Sequence, residues 1–179
     1  MFRYSGVSRA EANGAGTAIQ KIATALGMKV IIAERKGETK VREGRVAFTN
    51  ALKQATVIML TAPLSDATRE MISTPEFEMM DPSTYLINVG RGGLVNEAAL
   101  AKALKEKTIG GAATDVFQTE PADKSNCPLL AEDLPNLVLT PHVAWYTGAT
   151  MKKLSDRVRE SLEGFAKGEP CNVIYQGKL

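Results

Sequence analysis

Residues 85–95 read Tyr-Leu-Ile-Asn-Val-Gly-Arg-Gly-Gly-Leu-Val, and this stretch decides the fold class. Tyr85 to Asn88 predicts a short strand that runs through Val89 directly into Gly90-Arg91-Gly92-Gly93. A strand that empties into a glycine turn, with a helix following, is the repeating unit of a parallel sheet covered by helices. The helix is signalled by Asn96, a favoured N-cap residue, and by Leu100 and Leu104 four positions apart on one face.

The same alternation extends both ways along the chain. Upstream, residues 57–60 form an apolar run closed by Ala62-Pro63, and residues 28–33 form another, broken only by Lys29. Before it, Ile19, Ile22, Ala23 and Leu26 recur at helical spacing, so residues 16–26 predict a helix that Gly27 ends. Residues 49–55 predict a short helix, and residues 68–72 and 75–80 two helical turns. Downstream, residues 109–115 and 137–140 predict two more strands. A last helix over about residues 147–167 carries Met151, Leu154, Val158, Leu162 and Phe165 as one stripe expected to be buried. Five or so strands joined by helices predict an α/β, Rossmann-like doubly wound parallel sheet with helices on both faces. Such sheets bind ligands at the carboxyl ends of their strands.

Composition narrows the class further. At 179 residues the chain is one domain in size, and 44% apolar with 23% charged residues is enough to bury a core. A net charge of +2 without a dense Lys/Arg run argues against a nucleic-acid partner. No apolar stretch reaches the roughly 20 residues of a membrane span, and the first residues lack the apolar core of a signal peptide. Cys127 and Cys171 have no metal-ligand or redox spacing, so no metal is expected and both read as reduced thiols of a cytoplasmic protein.

The front end departs from the pattern. A dinucleotide-binding unit needs a buried strand before its glycine turn, yet residues 1–10 hold only isolated apolar residues. Either residues 3–7 make a poor strand or the first strand is missing. The turn itself, Glu11-Ala12-Asn13-Gly14-Ala15-Gly16, fits the fingerprint in neither register: with Gly16 third, Glu11 and Asn13 replace two glycines; with Gly14 first, Ile19 stands where the third belongs. Glu34 follows Gly16 by 18 residues, near the roughly 20 expected for the acid that accepts from the adenosine ribose. Arg35 beside it could instead receive a 2′-phosphate, so the residues leave NAD and NADP both open.

Three side chains could carry chemistry. His142, the single histidine, follows a strand and precedes a helix at the ligand-binding edge, and imidazole exchanges protons near neutral pH. Arg91, between glycines, can grip a carboxylate with two parallel hydrogen bonds. Glu120, in Thr114-Asp115-Val116-Phe117-Gln118-Thr119-Glu120-Pro121, could orient an imidazole, though nothing local shows that it reaches His142.

Together these segments resemble the D-isomer-specific 2-hydroxyacid dehydrogenase family. The resemblance rests on Leu26-Gly27-Met28-Lys29-Val30, Ala62-Pro63-Leu64 with Thr68, the 87–95 stretch, Thr114-Asp115-Val116-Phe117 with Glu120-Pro121, and Leu139-Thr140-Pro141-His142, in that order. It implies hydride transfer between NAD(P)H and a small 2-keto acid such as glyoxylate or hydroxypyruvate. It assigns catalysis to Arg91, Glu120 and His142. Cofactor contacts are implied for Gly14, Gly16, Glu34, Ala62, Pro63, Val89, Gly90 and Asp115, while Arg35 is a candidate for a 2′-phosphate from its position beside Glu34 alone. It also implies a homodimer. The expected organisation is an atypical segment over residues 1–10, a dinucleotide-binding domain over 11–168, and a returning segment over 169–179 towards a substrate domain whose preceding half is absent. Two alternatives follow from that expectation, a dinucleotide-binding module without turnover and a dimerisation module.

Overall fold

The computed structural model describes residues 3–7, 14–131 and 133–173. The chain forms two compact units, Met1–His142 and Val143–Leu179.

The first unit is built on six parallel strands: β1 Arg3–Val7, β2 Lys29–Ile32, β3 Val57–Leu60, β4 Tyr85–Asn88, β5 Gly111–Thr114 and β6 Leu137–Leu139. They lie side by side in the order β2-β1-β3-β4-β5-β6. Their connections carry α1 Gly14–Ala25, α2 Phe48–Gln54, α3 Thr74–Phe77, a 3₁₀ turn over Gly92–Leu94, α4 Glu97–Lys105 and α5 Pro128–Ala131. Outside β2, Val46 makes a one-residue parallel bridge to Ala33, a vestige of a further edge strand. The order reverses direction between β1 and β3, and that switch point is where a crevice opens at the carboxyl ends of an α/β sheet.

The first strand does form. Ser5 pairs in register with Ile31 on one side and with Ile58 on the other. Pairing on both edges gives the backbone of β1 its hydrogen bonds, so a segment short of apolar residues can still occupy the middle of a sheet. Gly14 and Gly16, expected in the glycine turn, already belong to α1, which begins two residues earlier than its apolar periodicity indicates. Residues 11–13 of that turn lie outside the described residues.

The core follows from alternation on the central strands. Ile58 and Leu60 on β3, and Leu86 on β4, are fully buried with Leu52, Phe77, Leu94 and Leu104 from the helices and loops. Each such side chain contributes roughly 1.5–3 kcal/mol on burial. Asn96 caps α4 by accepting from the Ala99 amide at 2.9 Å. Of residues 75–80 only 75–77 are helical, within α3, and residues 68–72 form a turn that ends with Ile72 bridged to Val95. Of the face expected on the first helix only Ala23 is buried; Ile22 is 62% and Leu26 74% exposed.

The second unit contains α6, Gly148–Ala166, capped by Thr147, whose hydroxyl accepts from the Thr150 amide. The stripe expected to be buried is not: no residue of α6 is buried, and Leu154, Val158, Leu162 and Phe165 are exposed. The 3.6-residue period that defines the stripe marks a face able to be covered, and the described residues do not cover it.

Candidate active site

Every sequence-predicted site residue in the first unit stands just beyond the carboxyl end of a strand, except Gly14 and Gly16 on α1 and Glu120, further along the loop after β5. Glu34 and Arg35 follow β2, Ala62 and Pro63 follow β3, Val89 to Arg91 follow β4, Asp115 follows β5 and His142 follows β6. With strands about 4.8 Å apart, five intervals put roughly 24 Å between the two ends of this row. The row is therefore long and narrow, suited to an extended ligand.

At the β6 end, His142 Nδ1 lies 2.8 Å from Glu120 Oε2. The two side chains are 38% and 37% exposed, so the pair is reachable from solvent. His142 has φ of +55°, a left-handed backbone that few non-glycine residues adopt, and its amide donates to Thr140 O at 3.0 Å. Such strain persists only where the surroundings over-determine it, and here it aims the ring at Glu120. Glu120 is fixed from its other oxygen, which accepts the Phe117 amide at 2.9 Å. Partial burial pushes the Glu120 carboxyl up, but the hydrogen bonds from His142 and Phe117 and the charges of His142 and Arg91 outweigh it. The group is held below the usual carboxylate range. A cavity of about 630 Å³ adjoins the pair, lined by both side chains and by Phe117, Pro121, Leu130 and Leu139.

Arg91 is exposed at the head of the glycine turn, and its charge acts on Glu120. Its Nη1 donates to Gly90 O at 2.7 Å. The loop is held by a residue that sequence reasoning passed over. Asn88, buried at the end of β4, donates from Nδ2 to Arg91 O at 2.9 Å and accepts the Gly90 amide at 3.1 Å. Gly92 lets this loop touch the one bearing Glu120: a Cβ there would stand 1.9 Å from Phe117 C. Glu97, another buried residue missed at the sequence level, accepts the Gln118 amide at 2.6 Å. The available signal for both was a polar residue in an otherwise apolar segment, since buried polar groups must be hydrogen-bonded.

Between the two ends, Asp115 is buried and accepts from the Thr140 hydroxyl, tying β5's end to β6's. At the switch point, Thr61 Oγ1 is buried with no hydrogen-bond partner among the described residues. An orphaned hydroxyl is costly unless something satisfies it. Beside it, Gly90 stands so close to the end of β3 that a Cβ would meet Ala62 O at 2.9 Å. A Cβ at Gly14, by contrast, would meet nothing within 4 Å among the described residues. A dinucleotide fits this arrangement. Its pyrophosphate suits the amino end of α1, where the helix dipole favours an anion, and Thr61 offers a hydroxyl to satisfy.

The β2 end differs from expectation. Glu34 lines a cavity of about 330 Å³ with Arg35, Lys36, Ala62 and Met71, yet its side chain is 1% exposed. Oε1 accepts the Arg35 amide at 2.9 Å, and Oε2 accepts the Arg42 amide at 3.1 Å. The Arg42 guanidinium adds a bond from Nε to Oε2 at 2.8 Å and one from Nη2 to Oε1. That guanidinium, more than the two amides, holds the Glu34 carboxyl far below its ordinary value.

A family model described as the D-isomer specific 2-hydroxyacid dehydrogenase, NAD binding domain, matches residues 13–144. The glycerate dehydrogenase of Methylorubrum extorquens is 44% identical over 159 residues, covering 89% of this chain and 49% of that protein. Two solved structures share the fold. The NAD complex of the D-isomer specific 2-hydroxyacid dehydrogenase of Lactobacillus delbrueckii ssp. bulgaricus superposes with a TM-score of 0.78 at 29% identity, over 97% of this chain and 56% of that one. The NADPH-dependent glyoxylate/hydroxypyruvate reductase of Sinorhizobium meliloti gives 0.78 at 30% identity, over 94% and 52%. The chain spans about half the length of the curated relatives it matches.

Proposed function

Because the chain belongs to the D-isomer specific 2-hydroxyacid dehydrogenases through their NAD-binding domain, we propose that it takes part in reducing a small 2-keto acid, such as glyoxylate or hydroxypyruvate, with a nicotinamide dinucleotide. The observation that carries this reading is the 2.8 Å contact between His142 and Glu120 at the carboxyl edge of the sheet.

Bound in the row of strand ends, the cofactor supplies a hydride for the carbonyl carbon. Thr61, the Ala62–Pro63 corner, Gly90 and the amino end of α1 would hold it. Arg91 would bind the substrate carboxylate with its guanidinium and polarise the carbonyl. Glu120 occupies Nδ1 of His142, which assigns proton exchange to Nε2 and stabilises the ring when it is charged. As the carbonyl carbon is reduced, His142 would deliver its proton to the carbonyl oxygen. In the oxidative direction the same nitrogen takes the proton back from the hydroxyl.

Two finer assignments go with this reading. Ile22, exposed on α1, and Leu26, exposed just past its end, support a homodimer, since apolar side chains left open on one copy offer a surface to another. Unpaired Cys127 and Cys171 suit a reducing compartment such as the cytoplasm. A second reading is a dinucleotide-binding module without turnover, which the orphaned Thr61 hydroxyl and the close approach of Gly90 to Ala62 would serve by themselves.

The test mixes the purified chain with NADH or NADPH and glyoxylate or hydroxypyruvate, and follows absorbance at the nicotinamide band. His142→Asn is the decisive variant, because Asn tolerates the left-handed φ of this position while lacking a titrating nitrogen. Turnover should fall by at least about 100-fold, the lower range of a general acid's contribution. Turnover unchanged in His142→Asn would remove the proposed role of His142. Dinucleotide binding without turnover in the wild-type chain would favour the second reading.

A further inference from the structure

Glu34 stands where a dinucleotide domain presents an acid to the adenosine ribose, but its carboxylate is not presented. Both oxygens are used twice over, by the Arg35 amide, the Arg42 amide and two nitrogens of the Arg42 guanidinium. At 1% exposure it has no surface on which ribose hydroxyls could donate. Arg42 itself sits on the loop between β2 and α2, and that loop is pinned at several points. The Glu34 amide donates to Val46 O at 2.7 Å, the Val46 amide to Ile32 O at 2.9 Å, and Arg45 Nη1 to Ala33 O at 3.1 Å. The clamp is thus part of the local fold.

We propose that Arg42 converts the adenosine end of the cleft from a ribose-diol site into a site for a 2′-phosphorylated dinucleotide, with Arg35 as the phosphate ligand. The proposal rests on the reading of the cleft as a dinucleotide site. A carboxylate facing the ribose does two things: it accepts from the 2′-hydroxyl, and it repels a 2′-phosphate. Arg42 cancels both, by filling the acceptor sites and by neutralising the charge at bidentate range. What remains beside the cavity is cationic. Arg35 and Lys36 are exposed and line it, and the half-buried Arg45 lines it as well. Lys36 is held by Glu76 at 2.8 Å and by Met71 O at 3.1 Å, so it contributes wall and potential; a planar guanidinium at Arg35 matches phosphate geometry. The one other acid lining the cavity, Glu38, lies on the exposed loop surface. Ala33, Ala62 and Met71 give an apolar bed for the adenine ring.

The test is calorimetric titration of the full 179-residue chain with NADPH, NADH, adenosine 2′,5′-bisphosphate and AMP. NADPH should bind at least tenfold tighter than NADH, and the bisphosphate should beat AMP by a similar factor. Arg42→Met should narrow the NADPH preference to within threefold, because Glu34 is released towards the ribose. Arg35→Ala should weaken NADPH and leave NADH within twofold. NADH binding as tightly as NADPH to the wild-type chain overturns the proposal and leaves the dinucleotide reading standing. Failure of all four compounds to bind overturns both. If Arg42→Met does not fold, the wild-type comparison and Arg35→Ala decide the matter without it.

Discussion

Gly92→Ala should damage the site more than any other single methyl group added to the glycine turn. The new Cβ would stand 1.9 Å from Phe117 C, 2.0 Å from its oxygen and 2.4 Å from Gln118 N. Ordinary contact begins at 3.4 Å, so one loop must move by roughly 3.4 − 1.9 = 1.5 Å. The obstacle is backbone, and that backbone is fastened by the Phe117 amide on Glu120 and the Gln118 amide on Glu97. Overpacking costs about 1–3 kcal/mol, and a fixed obstacle puts this case at the upper end. At about 2–4 °C per kcal/mol for a chain of this size, the main thermal transition should drop by roughly 6–12 °C. Displacing Glu120 by even about 1 Å should also cost about 100-fold in 2-keto acid reduction. Gly93→Ala is the control. Its Cβ would first meet the Leu64 methyls, at 3.1 and 3.2 Å, and then the tip of Arg69, side-chain ends that can swing away. Circular dichroism melts of the two variants measure the difference. A Gly92→Ala chain melting within about 2 °C of the wild type, on the same conversion, would refute the close approach of the two loops.

Glu97→Ala leaves the Gln118 amide without its acceptor. It should lose about 1–3 kcal/mol in urea unfolding, while Glu97→Gln, which keeps an oxygen in place, recovers most of it; equal losses in both would show that the charge matters and the acceptor does not. Cys127 is 2% exposed, and burial pushes its thiol above the ordinary value, whereas Cys171 is exposed. A thiol reagent should therefore label Cys171 alone in the native chain and both cysteines after denaturation, and native labelling of Cys127 would contradict its burial. The depressed Glu34 carboxyl contributes stability that is fully present above its ordinary value of 4.5 and is lost as pH falls below it. Glu34→Gln should flatten the acid limb of a melting-temperature profile over that window, and an unchanged acid limb would mean that the Arg42 clamp does not form.

The reach of the sequence depended on the length scale of each interaction. Alternation along one segment is local, so β3, β4 and α4 are readable from Val57-Ile58-Met59-Leu60, Tyr85 to Asn88 and the Asn96 cap. Segments whose order comes from neighbours are not readable this way. Arg3 to Val7 has little apolar content and folds inside the sheet because β2 and β3 supply hydrogen bonds on both edges. The exposed stripe on α6 shows the converse: periodicity announces a coverable face and says nothing about what covers it. At the site, residue type and strand-end position single out His142, Glu120 and Arg91, but the 22-residue jump that joins His142 to Glu120 is tertiary. Glu34 marks the sharpest boundary. Its spacing from Gly16 is legible, yet Arg42, eight residues further on, decides what the carboxylate can do.

The placement of polar groups also separates chemistry from support. Arg91, Glu120 and His142 are at least a third exposed on loops, whereas Asn88, Glu97 and Asp115 are buried and bond those loops to the sheet or to one another. A partly exposed group can be exchanged for an isostere at little cost in stability, because water replaces what it loses; a buried group leaves its partner unsatisfied. The three residues proposed to act on substrate and their scaffold should therefore fail in opposite ways. Substitution at His142 removes turnover from a folded chain, and substitution at Glu97 loosens the fold first and turnover with it. The left-handed φ of His142 is the one point where the two classes meet. There the backbone itself is strained to aim the ring, so a β-branched replacement such as His142→Val should lose stability as well as function.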